Sequence, residues 1–323
     1  MLQTRVTQLL GIERPIIQGG LAHLAFAQLC AAVSRAGGLG QLTATTMPDA
    51  ATLRSQIETV RAQTDRPFGV NFALGRRALE ELAEVAVAAQ VPLISVTGGN
   101  PAPFFALLDR LGYHGRRLVL VSSVRQAQNA ERLGADLVVA VGQEGGGHIG
   151  KNGVGTLVLV PRVVEAVSIP VLASGGIADG RGLAAALVLG AEGVEMGTRF
   201  VATQECPAHP AYKHALLQHD EESTTLVEAT LGTPGRVLDG SIPRTIRELE
   251  ANGADAAALY PFVRGETNIA AAIEGNLEGG FVWAGQAMGL IHDLPTVAAL
   301  LDRMEDEAHL AMQRLAQCLG KGG

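Results

Sequence analysis

Residues 171–200 read VLASGGIADGRGLAAALVLGAEGVEMGTRF, and this stretch sets the fold. A short apolar run at 171–174 ends in a glycine pair. Apolar residues then recur at three- and four-residue spacing over 181–189, and a second short run follows at 193–197. The first and last segments suit strands buried on both faces, and the middle one suits a helix packed on them. The unit is β–α–β, which implies parallel strands joined by a right-handed crossover.

The same alternation extends back to the start of the chain. Apolar runs at 15–18, 39–43, 68–72, 92–97, 118–122 and 137–141 bring the strand count to eight. Helical patterns at 27–36, 50–63, 78–90, 103–111, 124–133 and 157–167 lie between them. Eight such units predict a (β/α)8 TIM barrel, with its working loops at the carboxyl ends of the strands. An open doubly wound sheet is the competing arrangement. It is disfavoured by the count of eight and by the lack of a GxGxxG turn after the first strand.

Domain organisation follows from a change of texture. Residues 1–205 carry the barrel. Residues 206–275 are polar, with charged stretches at 220–222 and 244–250, and are read as a small helical cap inserted after strand 8. Residues 276–323 form a Gly-rich return segment and a terminal amphipathic helix from 296 to about 319 that packs on the barrel.

Composition narrows the function. Hydrophobic residues make up 47% of the 323-residue chain and aromatic ones only 4%, so the core is aliphatic. A net charge of −7 without any basic run argues against nucleic acid as a partner. No run approaches the ~18 apolar residues of a membrane span, and the N-terminus offers no signal-peptide core. Cys30, Cys206 and Cys318 are odd in number and widely spaced, as expected of reduced thiols in a cytoplasmic protein. A small-molecule substrate is expected, and a homodimer is left open.

Four clusters fall at strand ends. Gln18-Gly19-Gly20 ends the first strand, where glycines admit a flat ligand or make a tight turn. Gln143-Glu144-Gly145-Gly146-Gly147-His148 follows the sixth. Three ordered glycines there cost roughly 0.5–1 kcal/mol each relative to alanine, so the loop needs unusual dihedrals or close approach to a ligand. His148 projects from it as a candidate acid, base or electrostatic partner. Ser174-Gly175-Gly176 and Gly197-Thr198 end the last two strands, where barrels commonly bind phosphate through backbone N–H groups. Arg199 either joins that phosphate or pairs with a carboxylate beneath it. Asn71 and Thr97-Gly98-Gly99-Asn100 end the third and fourth strands, and Gly285-Gln286 reaches back over the mouth; each is also compatible with turn chemistry. His209, His214 and His219 recur every five residues, which spreads them around a helix and does not suit a metal.

Taken in order, these clusters resemble the nitronate monooxygenase family, once called 2-nitropropane dioxygenases. That superfamily also holds flavin-dependent enoyl-ACP reductases and NADH:quinone reductases. The resemblance runs from Pro15-Ile16-Ile17-Gln18-Gly19-Gly20 through Gly147-His148-Ile149-Gly150 to Ala284-Gly285-Gln286. It implies a barrel holding FMN non-covalently, its phosphate on Ser174, Gly175, Gly176, Gly197 and Thr198. The isoalloxazine would lie near Gln18, Gly19, Asn71 and Gln143, Gly20, Gly147 and Gln286 would also bind the cofactor, and His148 matches the family's active-site histidine. The family's usual Glu-Ala-Gly-Gly-His reads Glu144-Gly145-Gly146-Gly147-His148 here. The implied activity is oxidation of alkyl nitronates with O2 to carbonyl compounds and nitrite. Thr97-Gly98-Gly99-Asn100-Pro101 is closer to the reductases, whose electrons come transiently from NAD(P)H and pass to quinones or enoyl thioesters. Two outsiders remain: a barrel lyase or isomerase acting on a sugar phosphate, and a flavin-binding protein without turnover.

Overall fold

Alternate residues along each apolar run face opposite sides, and both sides are dry, so the runs pair as parallel strands. The computed structural model describes residues 2–75 and 77–319. Its strands are β1 (Ile16–Gln18), β2 (Gly40–Thr43), β3 (Phe68–Ala73), β4 (Leu93–Thr97), β5 (Arg116–Val121), β6 (Leu137–Val141), a two-residue β7 (Gly147–His148), β8 (Val171–Ser174) and β9 (Val194–Met196). All but β7 form one parallel sheet in the order β1-β9-β8-β6-β5-β4-β3-β2. The two edge strands meet through a parallel bridge between Ile17 and Leu39, with Gln18 N–H donating to the Leu39 carbonyl at 3.0 Å. The sheet is thereby a nearly closed (β/α)8 barrel, as the sequence predicts.

Side-chain alternation splits the core in two. Ile17, Leu39, Leu93, Leu118, Leu137, Val139 and Leu172 point inward and fill the barrel. Their neighbours Ile16, Ile94, Val119, Val138 and Val171 point outward to the helices. The helix Ala50–Gln63 shows how the outer layer forms: Asp49 caps it by accepting from the Thr52 N–H at 2.7 Å, and Leu53, Ile57 and Val60 bury one face.

Two features were not expected. A helix at Arg5–Leu10 places Val6 and Leu10 against the inward-facing residues and plugs the barrel's amino end. Thr4 caps it and also donates to the Glu192 carbonyl at 2.7 Å. Second, the stretch after the barrel is not helical alone. Besides the helices Pro210–Gln218, Ser241–Ala251, Ala256–Val263 and Gly265–Ala272 it contains an antiparallel hairpin, β10 (Thr224–Val227) and β11 (Gly235–Leu238). β11 pairs with β7, so three short strands stitch this stretch to the loop after β6. Val227, Val237, Ile246, Leu259 and Phe281 make a small separate core there.

The final helix, Val297–Leu319, lies against the helix Gly180–Val188. At Gly180 a Cβ would stand 2.3 Å from the Met304 carbonyl oxygen, so this glycine serves helix packing and not a ligand. Among the described residues no helix is long and apolar enough to cross a membrane.

Candidate active site

The carboxyl ends of the strands surround a cavity of about 300 Å³, within the range of small-molecule sites. Of the thirteen residues singled out from sequence, ten line it: Gly19, Gly20, Asn71, Gly147, His148, Ser174, Gly175, Gly176, Gly197 and Thr198. Gln18, Gln143 and Gln286 stand behind the wall. Gln18 is fully buried, its Nε2 donating to the Gly19 carbonyl and its Oε1 accepting from Gln41 N–H at 3.0 Å. Gln143 keeps a buried Oε1 with no hydrogen-bond partner among the described residues, and its carbonyl accepts from Arg236 Nε at 3.1 Å. Gln286 N–H donates to the Glu144 carbonyl at 2.9 Å.

Glycine has different causes around the rim. Gly175 and Gly176 have φ of +99° and +73°, a region that favours glycine. Gly197 has an ordinary backbone, and a Cβ there would meet only Leu21 Cδ2, at 3.4 Å. Its open side is the cavity. In the Gly145–Gly147 run, Gly147 takes φ +81°, while a Cβ on Gly146 would stand 2.6 Å from the Gly285 nitrogen. Gly146 is thus glycine because the return segment crosses it, a close approach of chain to chain. Gly285 N–H in turn donates to Thr198 Oγ1 at 3.0 Å, which brings Gly285 onto the cavity wall.

The floor is polar. Asn71 Nδ2 donates to Ser95 Oγ at 2.9 Å and Thr97 Oγ1 at 3.0 Å, and Ser95 donates to Gln41 Oε1 at 2.5 Å. Glu195 on β9 faces inward beside Gly19 and Ser174, only 4% exposed. Its Oε1 has no hydrogen-bond partner among the described residues, and burial pushes its carboxyl up to about 7, the Ser174 hydroxyl offsetting this only in part.

The mouth carries His148. β7 holds its backbone opposite Gly235. Its side chain is 56% exposed, with Nε2 3.5 Å from Glu228 Oε2. The ring stacks at a tilt on Trp283, centroids 5.0 Å apart. Glu228 has φ +58°, a left-handed conformation uncommon for a residue with a side chain. Glu144, next to the glycines, turns away from the mouth and accepts from the Thr156 N–H at 3.0 Å and hydroxyl at 2.9 Å, capping the helix Thr156–Val164.

Arg199 is resolved between its two readings. It is 2% exposed and pairs with Asp293 at 3.3 Å, donating also to the carbonyls of Ala202 (2.6 Å) and Asp293 (2.8 Å). Burial lowers its guanidinium to about 10. It braces the return segment and is absent from the cavity wall. His209 accepts from the Ala211 N–H at 3.1 Å and caps the helix Pro210–Gln218.

Glycine-rich strand ends, a polar floor and a histidine at the mouth converge on this one cavity. The family model for nitronate monooxygenase matches residues 3–307. The chain belongs to the nitronate monooxygenase family. It is an oxidoreductase, of a family that is generally flavin-dependent. Among its relatives, a probable nitronate monooxygenase of Staphylococcus saprophyticus is 32% identical over 97% of this chain and 99% of that one. The (3aS,4S,5R,7aS)-5-hydroxy-7a-methyl-1-oxo-octahydro-1H-indene-4-carboxyl-CoA dehydrogenase of Rhodococcus jostii is 34% identical over 95% of this chain and 96% of its own. The solved structure of FabK from Thermotoga maritima superposes with a TM-score of 0.92 at 40% identity, covering 98% of this chain and 99% of that one.

Sequence reasoning missed Glu195, Glu228, Trp283 and Arg236. For Glu195 a signal existed: a carboxylate between Val194 and Met196 in a run otherwise apolar. The others depend on the hairpin, which no local pattern announced.

Proposed function

We propose that this oxidoreductase binds FMN non-covalently and oxidises alkyl nitronates with O2 to carbonyl compounds and nitrite. The observation that carries the reading is the pairing of two ends in one cavity: backbone amides at Gly175, Gly176, Gly197 and Thr198 on one side, and the exposed His148 imidazole on the other. The residues fit the cofactor, because Gly197 leaves a gap that a Cβ would enter and Glu195, on the cavity lining, has a buried oxygen without a partner among the described residues. Ser174, Gly175, Gly176, Gly197 and Thr198 would hold its phosphate through N–H and hydroxyl donors. Gly19, Gly20 and Asn71 would flank its ring. Bound there, the flavin supplies the electron transfer.

The chain's own groups do the rest. As an imidazolium, His148 donates to the anionic oxygens of a nitronate and offsets their charge. As a neutral base it removes the α-proton of a nitroalkane. Glu228 Oε2 lies 3.5 Å from Nε2 and helps orient the ring, leaving Nδ1 for the substrate. Trp283 packs against the ring and limits its rotation. Tyr212, Val201 and Ala272 supply apolar walls that limit water near the reacting atoms.

A second reading is favoured by the likeness to the Rhodococcus carboxyl-CoA dehydrogenase and by Thr97-Gly98-Gly99-Asn100: electron exchange with an acyl thioester or a quinone, with NAD(P)H as donor. Anaerobic mixing of the flavin-loaded protein with propionate 3-nitronate, and separately with NAD(P)H, tests the choice. Bleaching of the flavin absorbance by the nitronate alone is the expected result. Bleaching by NAD(P)H with the nitronate inert overturns the first reading in favour of the second.

A further inference from the structure

Glu195 is a buried carboxyl that none of the steps above uses. It lies on the barrel floor between the two ends of the cavity. On one side it is in register with Ser174, next to the glycines assigned to phosphate; on the other its carboxyl carbon would stand 3.1 Å from a Cβ on Gly19, next to the ring end. Whatever joins a phosphate to a ring in this cavity passes over it. In FMN that joining segment is a chain of hydroxyls, each able to donate and to accept.

We propose that Glu195 binds this polyol segment as a neutral carboxylic acid, so that cofactor binding takes up a proton. The inference rests on the FMN reading above. Three observations carry it. The carboxyl lines the cavity while being 4% exposed, so an ionised form has almost no water to stabilise it. Its Oε1 has no partner among the described residues and is free to meet a ligand hydroxyl. No charged side chain acts on it: β1 offers the Gly19 backbone, β8 offers the Ser174 hydroxyl, and the cavity's other ionisable groups are Glu144 and His148 on the loop after β6 and Tyr212 on the helix Pro210–Gln218. A phosphate dianion arriving beside Ser174 repels a carboxylate there, and the ligand's bulk removes the remaining solvent. The protonated acid alone both donates and accepts towards the polyol.

The flavin-free protein has this carboxyl at about 7, so at pH 8 it is mostly ionised. Binding of FMN should then draw in roughly one proton per cofactor, read by titration calorimetry in two buffers of different ionisation heat. The phosphate itself is already a dianion at that pH. Between pH 6.5 and 8.5 the dissociation constant should rise on the order of tenfold. Glu195→Gln keeps the shape and both hydrogen-bonding roles, and should bind FMN with no proton uptake and a nearly flat pH profile. Wild-type binding without proton uptake overturns the proposal while leaving the FMN reading intact, as does equal uptake in both proteins. Failure of the wild type to bind FMN at all overturns both. Should the variant not fold, the wild-type proton count still decides.

Discussion

Replacing Gly197 separates the cofactor site from the fold. The backbone there has φ −110° and ψ −72°, and an added methyl meets only Leu21 Cδ2 at 3.4 Å before entering the cavity. Gly197→Ala should therefore fold with a stability change within about 0.5 kcal/mol, as expected of substitutions that disturb no packing. The methyl would occupy the space assigned to the phosphate, and overpacking of this kind costs about 1–3 kcal/mol. That corresponds to a loss of FMN affinity of roughly 5- to 150-fold. Gly175→Ala is the contrast. At φ +99°, with a Cβ 3.0 Å from both the Gly142 carbonyl oxygen and Thr156 Oγ1, it should lower stability whether or not FMN is present. Flavin fluorescence quenching gives affinity, and urea denaturation of the flavin-free proteins gives stability. Full FMN affinity in Gly197→Ala, or a stability loss equal to that of Gly175→Ala, would refute the assignment of Gly197 to the cofactor.

His148→Ala should lower nitrite release by about 10²- to 10⁴-fold with flavin absorbance retained, and Glu228→Gln by a smaller factor; unchanged turnover in His148→Ala would remove it from the chemistry. The flavin-free protein should also lose stability as pH rises. Burial raises the Glu195 carboxyl from its ordinary 4.5 to about 7 in the folded state, so its contribution is complete below 4.5 and is lost as pH climbs through 7. The loss approaches about 3 kcal/mol by pH 8 and should be absent from Glu195→Gln; equal slopes of urea stability against pH in the two proteins would count against it. Asp293→Ala leaves the Arg199 guanidinium on two backbone carbonyls and should destabilise by about 1–3 kcal/mol in thermal unfolding, at the lower end because Asp293 is 44% exposed. An unchanged transition would mean that the carbonyls alone satisfy the guanidinium.

Most of the barrel was legible because each strand is a short, largely apolar run followed by a glycine or polar loop. The run read at 171–174 is β8 to the residue, and 50–63 is helix Ala50–Gln63. The helix Arg5–Leu10 was not legible: two turns with three buried residues make too short a period to register. The hairpin escaped for a similar reason. β10 and β11 are four residues each, and their pairing with β7 depends on residues some ninety positions apart. On the site, glycines at strand ends and the projecting histidine were visible as composition. Glu228 and Trp283 reach His148 only through tertiary folding. Gly146 marks the boundary between the two: the glycine run is expected to make room for a ligand, but at Gly146 the close neighbour is the Gly285 backbone.

The two-residue strand at Gly147–His148 gives the enzyme two independently adjustable halves. The glycine-rich ends proposed to hold the cofactor follow β8 and β9 and are locked into the barrel, whereas the histidine pairs with β11 and has Glu228 beside it from the turn after β10. Insertions or substitutions in the hairpin can therefore redirect the imidazole towards a new substrate without touching β8 and β9. One barrel with an exchangeable mouthpiece can thus change its reaction by drift in the fifteen residues 224–238 of the hairpin.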